Sequence, residues 1–392
     1  MVAPTSFFND YGGHIRILEE TLALQGRGHQ VTVVTYYMGG DVPGLDIRRT
    51  RPLPWRADYE VGSSRHKIAF DIYLAAKVLA TGRKIRPDVV HGHMHEGALI
   101  GGLLAKHLGV PAVFDYQGSL TGEMVDHGFL NPDGRYYPWM HRMERYICNL
   151  PDAILTSSIR AERNLIEGFG VKPDKIHALP DCVDTDRFDP ERVDVQEKAA
   201  LRRQLGIPDG RTIVAYLGLL ADYQGIPQLI EAVAGLERRG ADIHFLIMGY
   251  PRVDYYMEMA RAAGVAERTT FTGKVSYDQA PKYLALGDLA VSAKVSATEG
   301  SGKVLNYMAM GQPVVASDTP VHREYLDTLG VYGRPGDAVG LADGIEGFMK
   351  DPIRAQETGR LLRARAHETY SWRKAGERIS AIYARLVDRQ PD

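Results

Sequence analysis

Residues 292–311 contain the residue types that bind an anionic ligand. Lys294 and Lys303 lie on either side of a glycine-rich loop, and a helix is predicted to begin near Gly302. The free N–H groups and the positive dipole end of a helix N-terminus hold phosphate or pyrophosphate, and lysine adds compact positive charge. The G-x-x-x-x-G-K-[ST] pattern of a P-loop is absent. We therefore predict an anion-binding loop, in which Glu299 accepts hydrogen bonds from sugar hydroxyls, with a solvated surface loop as the alternative.

Three histidines, His91, His93 and His95, follow a predicted strand. Alternate residues of a strand share a face, and a catalytic zinc site usually takes three protein ligands. The chain turns into a helix around Gly97, which breaks the strand spacing, so we predict no metal site. We expect His93 instead to hydrogen-bond a substrate hydroxyl, with a purely structural histidine as the alternative.

Two further loops after predicted strands combine glycine with polar side chains. In the first, Gly12 and Gly13 precede a helix, so the backbone can approach a ligand closely, although a plain glycine turn is the alternative. The pattern is not G-x-G-x-x-G, so dinucleotide binding is not supported. In the second, Asp115, Gln117 and Glu123 could line a cleft, and the alternative is a buried Asp that caps the next helix.

Short apolar runs alternate with helical patterns along the chain, which indicates βαβ units and parallel sheets covered on both faces. The alternation restarts after the charged stretch 184–198, which we interpret as a linker. We therefore predict an α/β protein with two doubly wound domains and a cleft between them as the site. The predicted strands are 2–4, 31–35, 45–49, 88–93, 112–116, 153–157 and 175–179, then 212–216, 244–248, 269–272, 289–292 and 313–316.

Length and composition agree with two domains. The chain has 392 residues, more than a single hydrophobic core usually serves. Lys and Arg number 47 against 49 Asp and Glu, a net charge of -2, so nucleic acid is not an expected partner. Two cysteines cannot build a disulfide framework, and neither a secretory signal nor a long apolar run is present. We expect a cytoplasmic protein.

Several motifs, taken in order and spacing, resemble retaining glycosyltransferases of the GT-B fold, specifically glycosyltransferase family 4. The resemblance covers nearly the whole chain. The matching segments are the Gly12-Gly13 loop, 26–34 (GRGHQVTVV), 88–93 (DVVHGH), 153–158, 180–188 (PDCVDTDRF), 216–218, 271–275, 298–311 and 313–318, followed by Ser371-Trp372 at the start of the last helix.

The resemblance implies two Rossmann-like domains that face each other across a cleft. Residues 1–184, with 372–392 returning to them, would bind the acceptor, and residues 185–371 would bind a nucleotide-sugar donor, a UDP- or GDP-sugar. It implies metal-independent transfer with retention of the anomeric configuration, without a cofactor, to a glycan, lipid-linked or small-molecule acceptor. A catalytically silent nucleotide or sugar binder and an epimerase-like enzyme of the same fold are the alternatives.

The resemblance also assigns candidate site residues. The catalytic candidates are His93 and Glu299. The donor-binding candidates are Gly12, Gly13, Gly218, Lys294, Thr298, Glu299, Gly300, Ser301, Gly302, Lys303, Val304 and Asn306. The acceptor-binding candidates are His14, Asp115, Gln117 and Glu123.

The donor loop of this chain departs from the family pattern. The family usually has two glutamates separated by seven residues, and these positions fall on Thr298 and Asn306. Glu299 lies one residue from the first position, so a shift of one residue would bring it into that role. Asn306 can still hydrogen-bond ribose hydroxyls, but without charge.

The loop after the first strand of the donor domain departs as well. The Arg and Lys that usually bind the diphosphate there fall on Leu219 and Gln224. We hypothesise that Lys294 and Lys303 supply the missing positive charge from the other side of the phosphates.

The amphipathic stretch 65–84, with five basic residues, has two interpretations. It is a peripheral contact with the inner face of the plasma membrane, or a helix packed on the sheet with a solvated basic edge. The sequence does not determine the oligomeric state.

Overall fold

The computed structural model describes residues 1–9, 12–53, 67–126, 128–295 and 301–389. The chain divides into two compact units. The first unit comprises Met1–Asp181 and Trp372–Asp392, and the second comprises Cys182–Ser371. Each unit is built on one parallel sheet with helices around it, so the predicted α/β class with two doubly wound sheets is confirmed.

The first unit has a sheet of strand order β3-β2-β1-β4-β5-β6-β7, in which all neighbouring strands are parallel. Every residue of β5 is buried. Strands covered on both faces are mostly apolar rather than alternating, which explains why apolar runs identified them. The strands are β1 (Val2–Ala3), β2 (Thr32–Thr35), β3 (Asp46–Arg49), β4 (Val90–His93), β5 (Ala112–Tyr116), β6 (Ala153–Thr156) and β7 (Ile176–Ala178).

The helices of the first unit include one from the end of the chain. That last helix, α15, packs closely on α1, because a Cβ added to Gly376 would lie 3.0 Å from the Cβ of Ala23. The helices are α1 (Gly12–Gln25), α2 (Lys67–Ile85), α3 (Met94–Leu108), α4 (Leu120–Asp126), α5 (Tyr137–Asn149), α6 (Ile159–Arg163, continued by a π-turn to Gly168) and α15 (Trp372–Val387).

The second unit has a parallel sheet of strand order β10-β9-β8-β11-β12-β13. Its strands are β8 (Thr212–Leu217), β9 (Ile243–Met248), β10 (Thr269–Gly273), β11 (Leu289–Ser292), β12 (Val314–Ser317) and β13 (Val331–Gly333). Its helices are α7 (Val195–Gln204), α8 (Ile226–Arg238), α9 (Val253–Ala262), α10 (Ala280–Leu284), α11 (Gly302–Ala309), α12 (Pro320–Leu326), α13 (Ala338–Lys350) and α14 (Pro352–Thr369).

The predicted strands agree with the observed ones to within two residues at each end. Several elements were not predicted, among them strand β13 and helix α14. Strand β13 has three residues and α14 buries only Gly359, Leu362 and Ala366 among its eighteen residues. A short edge strand and a mostly solvated helix leave too few apolar positions to show a period.

The interpretation of residues 184–198 as a linker was wrong. The stretch belongs to the second unit, where Phe188 is wholly buried and its ring lies 5.4 Å from that of Tyr277. Asp189 accepts a hydrogen bond from Arg363 (2.7 Å), and Asp194 caps α7. The acidic residues that suggested a linker are caps and ion-pair partners on the surface of a packed segment.

No helix in the described ranges combines the length and the apolar character that crossing a membrane requires.

Candidate functional site

Each sheet has a point where its strand order reverses, between β1 and β4 in the first unit and between β8 and β11 in the second. Parallel sheets of this topology bind ligands beyond the carboxyl ends of the strands at that point. His93 ends β4, Gly218 follows β8 and Lys294 follows β11. Each unit therefore brings predicted site residues to its own reversal point.

The loop after β8 lies against the residues that follow β11 and begin α11. Gly218 has φ of +150°, and a Cβ added there would lie 3.2 Å from Lys303 Nζ and 3.3 Å from the Tyr216 hydroxyl. Gly225 has φ of +78°, and a Cβ added there would lie 2.0 Å from the carbonyl oxygen of Ala293. Glycine at these two positions permits both the backbone conformation and the close approach.

Replacing Gly225 with alanine is expected to cost about 2 kcal/mol more stability than replacing Gly240 with alanine. Both glycines have positive φ, +78° and +74°, so both variants carry the same backbone strain. Only at Gly225 does the new Cβ overlap a backbone oxygen, that of Ala293, whereas Gly240 has no atom within 4 Å. Urea unfolding followed by circular dichroism measures the difference, and equal losses would contradict the tight packing of this loop.

Lys303 holds a positive charge at the carboxyl end of β8. Its Nζ donates to Gln224 Oε1 (2.7 Å) and to the Tyr216 hydroxyl (3.2 Å), and lies 4.4 Å from the centroid of the Tyr216 ring. A cation over an aromatic face is attracted by the ring. Because Gln224 is the position where the family resemblance expects a lysine, this geometry supports the hypothesis that Lys303 supplies that charge.

Tyr307 fixes α11 against β8. Its hydroxyl accepts a hydrogen bond from the backbone N–H of Leu217 (2.7 Å). Lys303 and Tyr307 are four residues apart and therefore lie on the same face of the helix. The anchor at Tyr307 consequently determines where Lys303 lies relative to the end of β8.

His322 ties the end of β11 to the start of α11. Its Nδ1 contacts a backbone carbonyl of β12 (2.6 Å), and its Nε2 lies 3.0 Å from Ser292 Oγ and 3.2 Å from Ser301 Oγ. The pKa of His322 is lowered to about 4, mainly by burial, with a smaller contribution from the Lys303 and Lys294 ammonium groups and against the opposing effect of the hydrogen bond to the β12 carbonyl. The ring is therefore neutral at pH 7, with Nδ1–H donating and Nε2 accepting from both serines.

The other predicted donor residues differ in exposure. Gly302 is exposed and Asn306 is half-buried, while Val304 is wholly buried and its N–H donates to Ser301 O (2.9 Å). Their assignment to donor binding stays a prediction. Three further predicted residues lie outside the described residues: Thr298, Glu299 and Gly300.

In the first unit, Asp115 at the end of β5 is wholly buried and paired with Arg16. Its oxygens accept hydrogen bonds from Arg16 Nη2 (2.7 Å) and Nε (2.9 Å) and from Gln117 Nε2 (2.9 Å). Burial alone would raise the pKa of Asp115, but the Arg16 guanidinium and then the contact with His93 hold it well below its usual range. Asp115 is thus a charged, buried group that orients Gln117 and His93.

His93 is wholly buried beside Asp115. Its Nδ1 lies 3.2 Å from Asp115 Oδ2, and its Nε2 has no hydrogen-bond partner among the described residues. Burial lowers the pKa of His93, although Asp115 opposes this effect. A neutral ring that donates from Nδ1 to the carboxylate leaves Nε2 as an acceptor for a hydroxyl proton.

The remaining predicted residues of the first unit lie around the start of α1 and α4. A Cβ added to Gly13 would lie 3.5 Å from Gln117 Oε1, whereas around Gly12 no atom lies within 4 Å of such a Cβ. His14 is buried, and its ring contacts a threonine hydroxyl and the backbone N–H of Asn9 (2.9 Å). Glu123 is exposed. The structure thus brings Gly13, Gln117, Asp115 and His93 together. The donor-binding role of Gly13, the acceptor-binding role of Asp115 and Gln117 and the catalytic role of His93 stay predictions.

His91 and His93 form a buried cluster with Glu20, and the geometry of the two rings does not suit a shared metal ion. Glu20, His91 and His93 have potential ligand atoms within 4.8 Å of one another. The two imidazole rings, however, are stacked with centroids 4.6 Å apart and planes at 17°. An ion must lie close to the plane of each ring that binds it, and two nearly parallel planes at this separation do not meet at one ion position.

Sequence reasoning missed Arg16, Tyr216, Tyr307 and His322. Arg16 had a detectable signal, because Glu20 lies four residues later, a spacing at which opposite charges pair on a helix. Tyr307 had another, because it lies four residues after Lys303. The roles of Tyr216 and His322 depend on contacts between elements distant in sequence.

The amphipathic stretch forms α2, apart from residues 65 and 66, which lie outside the described residues. It buries Phe70, Leu74 and Val78 and exposes Ile68 and Ile72. The helix therefore packs on its unit and also presents apolar side chains to solvent. A peripheral membrane contact stays a prediction.

Comparison with known proteins finds a matching family model for each half of the chain. The family model described as Glycosyltransferase Family 4 matches residues 12–187, and the one described as Glycosyl transferases group 1 matches residues 197–365. The chain is 28% identical to the alpha-D-kanosaminyltransferase of Streptomyces kanamyceticus over 79% of this chain and 81% of that protein. It is 26% identical to the D-inositol 3-phosphate glycosyltransferase of Nocardia farcinica, over 96% of this chain and 85% of that protein.

A solved structure is similar over the whole length. The crystal structure of Anabaena HepE in complex with UDP and glucose superposes with a TM-score of 0.76 at 16% identity, covering 98% of each chain. This likeness shows that the two chains share the GT-B fold.

Proposed function

Because this chain belongs to the group 1 glycosyltransferases of glycosyltransferase family 4, we propose that it transfers a sugar from a UDP- or GDP-sugar to an acceptor hydroxyl with retention of the anomeric configuration. The second unit holds the donor and the first holds the acceptor. The observation that carries this proposal is the Lys303 ammonium, held beside Gly218 and Gln224 at the carboxyl end of β8.

The chemistry of the donor requires positive charge at the diphosphate. When the bond between the sugar and the diphosphate breaks, negative charge develops on the leaving phosphate oxygen. Lys303 and the N–H groups at the start of α11 are fixed before the reaction, so they stabilise that charge without reorganisation. We assign the charge stabilisation to these groups rather than to a metal ion. The complex of Anabaena HepE with UDP and glucose favours a UDP-sugar.

The acceptor side rests on His93 and Gln117. Neutral His93 offers Nε2 as a hydrogen-bond acceptor for a sugar or acceptor hydroxyl, and Asp115 holds the ring and the Gln117 amide in place. The acceptor is a polyhydroxylated compound, and the name of the D-inositol 3-phosphate glycosyltransferase favours a small molecule over a polymer.

Turnover of nucleotide-sugars tests the proposal. The protein is incubated with UDP-glucose, UDP-N-acetylglucosamine or GDP-mannose, with EDTA, and with myo-inositol 3-phosphate, 2-deoxystreptamine or a lipid-linked sugar as acceptor. We expect acceptor-dependent release of UDP or GDP and, by NMR, an α-linked product from the α-linked donor. Nucleotide binding without turnover would favour the silent binder. An isomerised sugar formed without acceptor would favour the epimerase-like enzyme, and a β-linked product would contradict retention.

A further inference from the structure

Tyr216 is a buried hydroxyl group in contact with the charge that the proposed donor site needs. It lies next to the last residue of β8 and is 0% exposed. Its hydroxyl donates to the carbonyl oxygen of Leu219 (2.8 Å) and accepts from Lys303 Nζ (3.2 Å). A hydroxyl has one proton, so the bond to Leu219 directs the oxygen lone pairs toward the ammonium.

Tyr216 and Gln224 contact the Lys303 ammonium through uncharged oxygen atoms. Burial raises the pKa of Tyr216 well above its ordinary value, so the phenol stays protonated at pH 7. Gln224 is an amide, is buried, and accepts from Lys303 at 2.7 Å. A carboxylate in either place would pair with the lysine and oppose the binding of an anion.

From this arrangement we propose that Tyr216 and Gln224 are positioning residues for donor binding, which fix the Lys303 ammonium where it meets the diphosphate of the nucleotide. The inference rests on the proposed function. It adds that binding depends on two uncharged acceptors, one in the core of the sheet and one in the loop after it.

The same bond from Tyr216 to Leu219 couples this charge to the loop. Leu219 follows Gly218, whose lack of a side chain leaves room for Lys303 Nζ and the Tyr216 hydroxyl. The Tyr216 hydroxyl therefore contacts both the lysine and the backbone of the loop after β8, which the nucleotide would approach.

The first test is a double-mutant cycle of Tyr216→Phe and Lys303→Ala. Titration calorimetry measures the affinity of each variant for UDP and GDP. Tyr216→Phe is expected to weaken nucleotide binding about 5-fold, which is the loss of one modest hydrogen bond. In the Lys303→Ala background the same change is expected to have no further effect, because Tyr216 acts through the lysine. Tyr370→Phe is the matched control, since Tyr370 donates to the carbonyl oxygen of Glu324 (2.9 Å) in the same unit and should leave binding unchanged.

The second test is Gln224→Glu, which keeps the size of the side chain and adds a charge 2.7 Å from the ammonium. Nucleotide affinity is expected to fall at least about 10-fold while the melting temperature stays equal or rises, because an ion pair replaces a hydrogen bond. A structural role alone would move stability and binding in the same direction.

Three outcomes decide between the two proposals. Equal losses from Tyr216→Phe in both backgrounds, or unchanged binding in Gln224→Glu, would overturn the positioning role while the proposed function stands. If the unaltered protein binds neither UDP nor GDP at millimolar concentration, the proposed function itself fails and this inference fails with it.

Discussion

Replacing Arg16 with alanine is expected to destabilise the first unit by about 3–5 kcal/mol. Arg16 is buried, and its guanidinium contacts Asp115 (2.7 Å), Glu20 (3.1 Å) and Asp181 (3.1 Å). Asp115 and Glu20 are wholly buried. Burial raises the pKa of Glu20 well above its ordinary value, so Asp115 is the group whose charge depends on the arginine. Removal of the arginine leaves the Asp115 carboxylate in the core without the positive charge that compensates it, and such a loss costs more than the pair contributes when intact.

Tryptophan fluorescence in urea measures this loss. Among the described residues, Trp139 and Trp372 are both in the first unit, and the Arg16 guanidinium lies 5.9 Å from the ring of Trp372. Arg378→Ala on α15 is the matched control, since Arg378 is exposed, and it should change stability by no more than about 0.5 kcal/mol. A similarly small effect of Arg16→Ala would contradict the importance of the buried pair.

The pH dependence gives a second measurement of the same effect. In the unaltered protein the pKa of Asp115 is held well below its ordinary value, so this group stabilises the fold above about pH 4 and the stabilisation is lost as the pH falls. Without Arg16 its pKa rises, because burial then dominates. The difference in stability between the two proteins is therefore expected to shrink as the pH is lowered from 7 to 4, and a constant difference would point to lost packing.

The two sheets could be predicted from the sequence for a simple physical reason. A strand covered on both faces is mostly apolar, so runs such as 112–114 in β5 and 289–291 in β11 are visible without any structural information. The packing of residues 184–198 could not be predicted in this way, because it depends on one buried aromatic side chain, Phe188, among acidic residues at the surface. Charge in a sequence does not distinguish a free segment from a capped and ion-paired one.

The site was predicted less completely than the sheets. Loops after strands identified Lys303 and His93, because ligands of parallel sheets bind at that edge, and the family resemblance added Gly218. Arg16 and Tyr216 were missed because the sequence does not give their partners, which lie 99 and 87 residues away. Residue type predicts which group can bind a ligand, whereas the tertiary contacts determine which groups hold it in position.

Replacing Lys303 with alanine is expected to weaken binding of the nucleotide about 10- to 100-fold, the loss of a hydrogen bond between charged groups. The lysine supplies a charge that Leu219 and Gln224 lack at the positions where the family resemblance expects Arg and Lys. Titration calorimetry with UDP and GDP measures the change. Lys350→Ala, in the same unit and with a side chain 73% exposed, is the matched control and should bind as the unaltered protein does.

Salt separates a direct contact with phosphate from a structural effect of the lysine. Exposed charges are screened by added salt, so nucleotide affinity of the unaltered protein should fall between 50 and 300 mM NaCl, and that of Lys303→Ala should fall less. An equal salt dependence in both proteins, with weaker binding in the variant, would mean that Lys303 holds the loop after β8 and that other groups meet the phosphates. Unchanged affinity would assign the diphosphate to Lys294 and the start of α11 instead, since these are the remaining positive groups predicted at that edge of the sheet.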